Sequence, residues 1–268
     1  MKSSERSAPR IITLTTDFGT KDSFVAEMKG VILSINPQAV IVDVTHEVRP
    51  HAIDEGAFVL ASAVRYFPKG TIHIAVVDPG VGSCRRGILV KAGDHFFVGP
   101  DNGIFSLVLS KSDDFRAFHI TNEKFVFDLK SPTFQGRDVF APVAACFSKG
   151  LPCEEFGKEI SDLVLFEAPK PEVSGDTISG RVIFIDRFGN VITNMTPECL
   201  VGFEGRGTVT VNNVCAEKAE CYAMSAEDRL SFLFNSSGNL ELFVKSKSAA
   251  DMYGIRRGDP VVVRIDKG

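Results

Sequence analysis

Three short apolar runs in the N-terminal part of the chain each end in side chains that can do chemistry. Residues 11–14 run into Thr15-Thr16-Asp17, residues 40–44 into Thr45-His46, and residues 72–77 into Asp78-Pro79-Gly80. Read as parallel strands, they place two carboxylates and an imidazole at the carboxyl ends of strands, where open α/β sheets bind ligands. Each carboxylate alone reads equally well as a helix cap. Three polar strand ends together point to a polar site. The segment Asp78-Pro79-Gly80-Val81-Gly82-Ser83-Cys84-Arg85-Arg86-Gly87 adds two glycines, which permit tight turning, and two arginines. In an extended chain Arg85 and Arg86 point to opposite faces, so at most one faces the site. A carboxylate and a guanidinium in one loop can orient a water molecule or a polar ligand group; the plain alternative is a loop salt bridge. The glycine spacing is not that of a dinucleotide-binding loop, and no Gly-Lys-Ser/Thr phosphate loop is present.

Further candidates lie downstream. Gly99-Pro100-Asp101-Asn102-Gly103 is a turn by composition, which is enough to explain Asn102. In Thr133-Phe134-Gln135-Gly136-Arg137-Asp138, Asp138 is placed to N-cap a helix over 139–147, and Phe134 and Gln135 can face the same pocket. Asp186-Arg187-Phe188-Gly189-Asn190 joins two apolar runs as a hairpin whose tip Phe can stack on a flat ligand. Asn235-Ser236-Ser237-Gly238 is another turn, and its match to a glycosylation sequon is discarded for want of a secretory signal. No Gly-x-Ser-x-Gly or His-Glu-x-x-His template occurs, and the five histidines never pair at ligand spacing on one helix, so no metal site is expected.

The elements that must hold these residues fall into two parts. Before residue 168, short β-branched runs alternate with helical apolar stripes: helices over 24–35 and 53–66, strands at 11–14, 40–44, 72–77, 88–90 and 96–98. That alternation predicts an α/β domain (8–167) built on a parallel sheet. Residues 168–175, Ala-Pro-Lys-Pro-Glu-Val-Ser-Gly, read as a linker. From 176 to 268 the pattern changes to short strands, at 177–185, 191–193, 208–211, 230–234, 240–244 and 261–265, separated by Gly, Asn and Asp. This predicts a small antiparallel β-barrel.

Composition narrows the class. Thirty Lys plus Arg against 34 Asp plus Glu give a net charge of −4, which disfavours a nonspecific nucleic-acid binder. No apolar stretch approaches the ~20 residues of a membrane helix. Residues 1–10 are polar with no apolar signal core and are expected to form a cytosolic arm. Six scattered cysteines without a Cys-x-x-Cys pair read as reduced thiols of a cytoplasmic protein.

Taken in order, the runs Thr15-Thr16-Asp17-Phe18-Gly19, Val42-Asp43-Val44-Thr45-His46, Val77-Asp78-Pro79-Gly80-Val81-Gly82, Gly99-Pro100-Asp101-Asn102-Gly103, Gly136-Arg137-Asp138 and Phe188-Gly189-Asn190-Val191 closely resemble the S-adenosyl-L-methionine (SAM) hydroxide adenosyltransferases, a family related to fluorinases and chlorinases. The resemblance extends over nearly the whole chain. It implies an α/β domain followed by a β-barrel, and a homotrimer with SAM held between the first domain of one subunit and the second of its neighbour. It implies hydrolysis of SAM to adenosine and methionine, with SAM as substrate and no separate cofactor, metal, nucleic acid or membrane partner. By the same resemblance Asp78 and Arg85 position the attacking water, Asp17 holds the ribose hydroxyls, and Asp186 and Asn190 grip the methionine or ribose end. Ser236 would hold the amino-acid group, with Phe188 and Tyr222 flanking adenine. A carboxylate at Asp78 argues against halogenase activity, because it would repel halide.

Two positions depart from the family pattern. Where the hydrolases carry His before Gly-Arg-Asp, this chain has Gln135, which hydrogen-bonds but cannot titrate near neutral pH. Where an Ala-Val-Asn type segment is usual, it has Phe243-Val244-Lys245-Ser246, and Lys245 brings a cation. Gln135 motivates an alternative reading as an adenosyl-ligand binding or sensing protein with weak turnover. Lys245 motivates a second alternative, a different nucleophile or nucleoside substrate in the same pocket.

Overall fold

The computed structural model describes residues 11–112, 114–127, 132–200, 203 and 207–265. The arm expected over residues 1–10 lies outside them. The chain divides into two compact units, Met1–Glu167 and Ala168–Gly268.

The first unit carries a seven-stranded sheet in the order β2-β1-β3-β5-β4-β6-β7. Its strands are β1 Ile11–Thr16, β2 Val40–Thr45, β3 Ile72–Val76, β4 Gly87–Ala92, β5 His95–Pro100, β6 Phe115–Ile120 and β7 Gly157–Ile160. The pairings β1–β2, β1–β3 and β3–β5 are parallel. From β4 onward they are antiparallel. The switch has a local cause: β4 and β5 are joined only through Gly93 and Asp94, too short for a parallel crossover. The strands β6 and β7 carry few of the β-branched residues that mark a buried run, and the sequence reading passed over them.

Alternate residues along and just after β3 feed two cores. Ile72, Ile74 and Val76 join α1 (Phe24–Ile35) through Met28, Val31 and Ile32. Ala75 and Val77 join α2 (Ile53–Val64) through Leu60, and the short α3 (Ser106–Leu109) through Leu109. Helices therefore cover both faces. The expected helix over 139–147 is split. Gly136–Phe140 is a wide π-type turn, and α4 follows as Ala141–Ser148 with Pro142 in its first turn. Pro142 has no N–H to give back, and the Asp138 carbonyl is met by Phe127 N at 2.9 Å.

The second unit has strands β8 Glu172–Ser174, β9 Thr177–Ile185, β10 Val191–Thr193, β11 Gly207–Val211, β12 Val214–Lys218, β13 Ser231–Phe234, β14 Leu240–Phe243 and β15 Pro260–Ile265, with a short helix α5 at Ala249–Tyr253. The ring β9-β10-β14-β13-β12-β11-β15 closes on β9, and β8 adds to the flank of β9. Thus part of the segment read as a linker is a strand, turned back by Gly175 at φ 62°. One barrel pairing, β12–β13, is parallel. The long connection 219–230 allows it, and that same connection carries Tyr222. No helix among the described residues is long and apolar enough to cross a membrane.

At the amino-terminal end of β3, far from the chemistry described below, His73 is fully buried. Its Nδ1 lies 2.8 Å from Thr13 Oγ1, and its Nε2 lies 3.2 Å from His95 Nδ1. Burial, then the neighbouring His95 ring, pushes the His73 imidazole down to about 3. It is neutral in the fold and gains its proton on unfolding. Between the ordinary histidine value of 6.5 and about 3 the unfolded chain binds the extra proton, so stability is fully present above the window and falls with pH inside it. Urea unfolding between about pH 6 and pH 4 should show the wild type losing ~1 kcal/mol per pH unit more than His73→Gln. Equal slopes would sink the assignment.

Candidate active site

The register of the parallel strands brings the two carboxylates to one edge. Thr16 at the end of β1 sits opposite Val76 at the end of β3, so Asp17 and Asp78 leave the sheet on the same side. They line a cleft of about 600 Å³ with Phe18, Phe24, Glu27, Pro50, His51, Val76, Val81 and the run Thr133–Arg137. All of it belongs to the first unit.

At the back of this cleft one guanidinium fixes three groups. Arg85 Nε donates to Asp78 Oδ1 at 2.9 Å and Nη2 donates to Asp78 Oδ2, a forked pair. The same Nη2 reaches Gln135 Oε1 at 2.5 Å, and Nη1 donates to the Arg86 carbonyl at 3.1 Å. The Arg85 and Asp78 side chains are only 10% and 5% exposed. Removing one partner of such a pair strands the other charge, at a cost of about 3–5 kcal/mol. The loop reaches this geometry through Gly82, whose φ is 80° and where a Cβ would lie 2.7 Å from the Pro132 carbonyl oxygen.

Asp78 and Gln135 border the cleft, with Arg85 behind them. Arginine has donors only, so the Gln135 atom facing it is the amide oxygen. The Gln135 NH₂ is thereby left as a donor beside the Asp78 acceptor. The π-type turn at Gly136–Phe140 presents this residue, a common use of such turns.

Arg86 points the other way, as the alternation argument required. It binds Asp101 Oδ2 and Asp162. Asn102 serves the turn: its Nδ2 donates to the Val77 carbonyl at 2.8 Å and its Oδ1 accepts from Ile104 N at 3.2 Å. Asp138 is not a helix cap. It is buried and accepts from Arg137 Nε and Nη2 at 2.7 and 3.0 Å. His46 is buried against Thr16 Oγ1 at 2.9 Å and ties β2 to β1 instead of lining the cleft.

The cleft holds residues that sequence reasoning missed. Glu27 on α1 accepts from Ser23 Oγ at 2.6 Å and from Arg137 Nη1 at 2.8 Å. Those two hydrogen bonds, Ser23 first, hold its carboxyl below the usual range. Phe18, Phe24 and Phe134 meet edge to face, with ring centroids 5.3–5.9 Å apart, and form an apolar wall. Asp17 Oδ2 accepts from the His51 main-chain N at 2.9 Å. Among the described residues its Oδ1 has no partner. The pairings of Glu27 with Arg137 and of His51 with Asp17 could not be found from spacing, because those partners are remote in the chain.

A second cleft of about 480 Å³ lies within the second unit, lined by Asp186, Phe188, Asn190, Tyr222 and the run Val244–Ser248. Four residues expected to bind the substrate thus meet in one place. Asp186 holds the hairpin: Oδ1 accepts from Phe188 N and Asn190 N at 2.8 and 2.9 Å, and Oδ2 accepts from Asn190 Nδ2 at 3.0 Å. The tip Phe188 is 77% exposed. Tyr222 donates to the buried Glu241 Oε1 at 2.6 Å; burial, then this carboxylate, pushes its phenol up, so it stays a donor. Lys245 lines this cleft without an ion pair among the described residues. Ser236 is exposed on its turn and lies outside the lining of both clefts.

Residues 12–157 match the model of the SAM hydroxide adenosyltransferase N-terminal domain, and residues 180–262 match that of the C-terminal domain. An (R)-S-adenosyl-L-methionine hydrolase from Salinispora tropica is 37% identical over 251 residues, covering 92% of this chain and 95% of its own. A fluorinase from Nocardia brasiliensis is 28% identical, covering 95% of this chain and 97% of its own. The crystal structure of an uncharacterized conserved protein from Thermotoga maritima superposes with a TM-score of 0.88 at 34% identity, covering 95% of this chain and 99% of that one.

The second cleft depends on Gly189. Its φ is 80°, and a Cβ there would lie 2.0 Å from Ser248 Oγ and 2.7 Å from Ser248 Cα. Gly189→Ala should cost ~1–3 kcal/mol, read as a lowered urea midpoint, because the hairpin must move off the start of α5. A midpoint equal to wild type would show that the hairpin tip is not pinned as described.

Proposed function

Because the chain belongs to the SAM hydroxide adenosyltransferase family, we propose that it hydrolyses SAM to adenosine and methionine, with Asp78, Arg85 and Gln135 holding the attacking water. Water oxygen forms a bond to ribose C5′ as the C5′–S bond breaks. Sulfur keeps the bonding pair, so methionine leaves as a neutral thioether and needs no acid and no cofactor. The water proton goes to the Asp78 carboxylate. What remains for the protein is placement, which can supply up to ~7–11 kcal/mol in well-oriented systems.

The observation that carries this reading is the contact between Arg85 Nη2 and Gln135 Oε1. With its oxygen held by Arg85, Gln135 offers a donor to the water oxygen, while Asp78 accepts a water hydrogen. One water lone pair is left to attack. A neutral His in the same position would accept from Arg85 with one ring nitrogen and donate with the other. Gln135 therefore reproduces the polarity of the family His, and this favours turnover over the sensing alternative.

For the rest of the substrate, Asp17 Oδ1 suits a ribose hydroxyl, and the wall containing Phe134 suits apolar atoms. Phe188 and Tyr222 in the second cleft suit adenine, with Asp186 and Asn190 alongside. Ser236 remains assigned to the amino-acid group on family resemblance alone. The two clefts carry complementary parts of such a site, in keeping with a homotrimer in which the first unit of one subunit serves with the second unit of its neighbour. Its six unpaired cysteines suit a cytoplasmic protein.

Purified protein given SAM in oxygen-18 water should release adenosine labelled at the 5′ oxygen. Asp78→Ala should lower that rate by about 10²–10⁴-fold, the usual worth of a positioned base. Gln135→Leu, which lacks the donor, should fall further than Gln135→His. If the ligand binds but no adenosine forms, the sensing reading takes its place. Competition by SAM analogues, compared in Lys245→Ala, tests for a different nucleoside substrate.

A further inference from the structure

The connection between β2 and α2 is pinned on both sides of residue 51. The His46 carbonyl accepts from Gly19 N at 2.7 Å, and Val48, itself buried, donates from N to the Thr16 carbonyl at 3.3 Å. The buried Glu55 carboxylate accepts from Arg49 N and Nε at 3.0 and 2.6 Å. On the far side Ile53 N donates to the His51 carbonyl at 3.0 Å as α2 begins. Between these anchors His51 is held at φ 68°, directly after Pro50. A residue with a Cβ is uncommon there. Such conformations persist where the surroundings over-determine them, and they gather at ligand sites.

The strained backbone has a visible product: it turns the His51 N–H onto Asp17 Oδ2 at 2.9 Å, and both residues line the first cleft. We propose that His51 is a positioning residue for Asp17. Its main-chain amide commits Oδ2 and fixes the carboxylate rotamer, so that Oδ1 is the oxygen offered to a ribose hydroxyl. Position 51 then requires an N–H and a positive φ; the imidazole is not the required part. This inference rests on the reading of Asp17 as the ribose-binding carboxylate.

The test measures kcat and KM for SAM in wild type, His51→Gly, His51→Asn, His51→Ala and His51→Val, with Asp17→Asn alongside. Glycine and asparagine accept a left-handed backbone, alanine less so, and a β-branched valine least. KM should rise in that order, with His51→Val about tenfold or more above His51→Gly, the worth of one hydrogen bond to a charged group. The change should appear in KM more than in kcat, because the ribose contact lies away from the reacting bond. KM values equal in His51→Val and His51→Gly overturn the proposal. So does an equal rise in every variant, which would assign the effect to the imidazole. If His51→Val does not fold, the same comparison is made between His51→Ala and His51→Gly, and equality there overturns it too.

A second readout does not depend on the ribose assignment. By hydrogen exchange the His51 amide should be protected in wild type and faster in Asp17→Ala; equal rates overturn the positioning contact. An unchanged KM in Asp17→Asn with that protection intact would instead remove Asp17 from the ribose and leave the contact standing.

Discussion

Arg85 is an obligate donor placed where four acceptors converge: both oxygens of Asp78, the amide oxygen of Gln135 and the Arg86 carbonyl. Its charge is almost fully buried. The fold must therefore bring a carboxylate from the end of β3 and a neutral acceptor from the turn before α4 to the same point. That demand accounts for much of the neighbouring backbone. Gly82 lets the loop pass under the Pro132 carbonyl, and the wide turn at Gly136–Phe140 delivers Gln135. Arg86 anchors the far side of the loop through Asp101.

Left-handed backbone occurs at both clefts, as well as at turns away from them such as Asn212, Asn213 and Asp228. His51 and Gly82 stand in left-handed conformations around the first, and Gly189 and Ser246 around the second. In the first unit strand alternation divides buried side chains between two cores, whereas the second unit closes around one. The clefts also differ in character. The first sets three carboxylates, Asp17, Glu27 and Asp78, beside an edge-to-face phenylalanine wall. The second pairs Phe188 and Tyr222 with lysine and serine side chains.

The substitution at Gln135 shows why residue type and geometry must be read together. By type, glutamine in place of histidine looks like the loss of a titratable group. Beside Arg85 the amide has one orientation, acceptor toward the guanidinium and donor away. That orientation gives it the same donor and acceptor polarity as a neutral imidazole held by an arginine. Lys245 lines the second cleft, where no carboxylate among the described residues pairs with it.

Much of the architecture was written in local pattern. The helical stripe from Phe24 to Ile35, the runs ending at Asp17 and Asp78, and the change to short strands after residue 176 are set by neighbours a few residues apart, which is where periodicity lives. The opposed directions of Arg85 and Arg86 were legible for the same reason. What the pattern left open depends on partners far away in the chain. Asp138 read as a cap until its buried pairing with Arg137 was seen, and His46 read as a cleft residue until Thr16 claimed it. The parallel pairing of β12 with β13 and the strand β8 depend on which edge each segment meets. His51 carried no signal at all, because its role lies in a backbone angle and an amide aimed at Asp17. Sequence alone determined which groups could react, since that is a property of residue type and local spacing. Tertiary structure decided which of them meet, because hydrogen bonds to a buried charge are set by distance and direction in three dimensions.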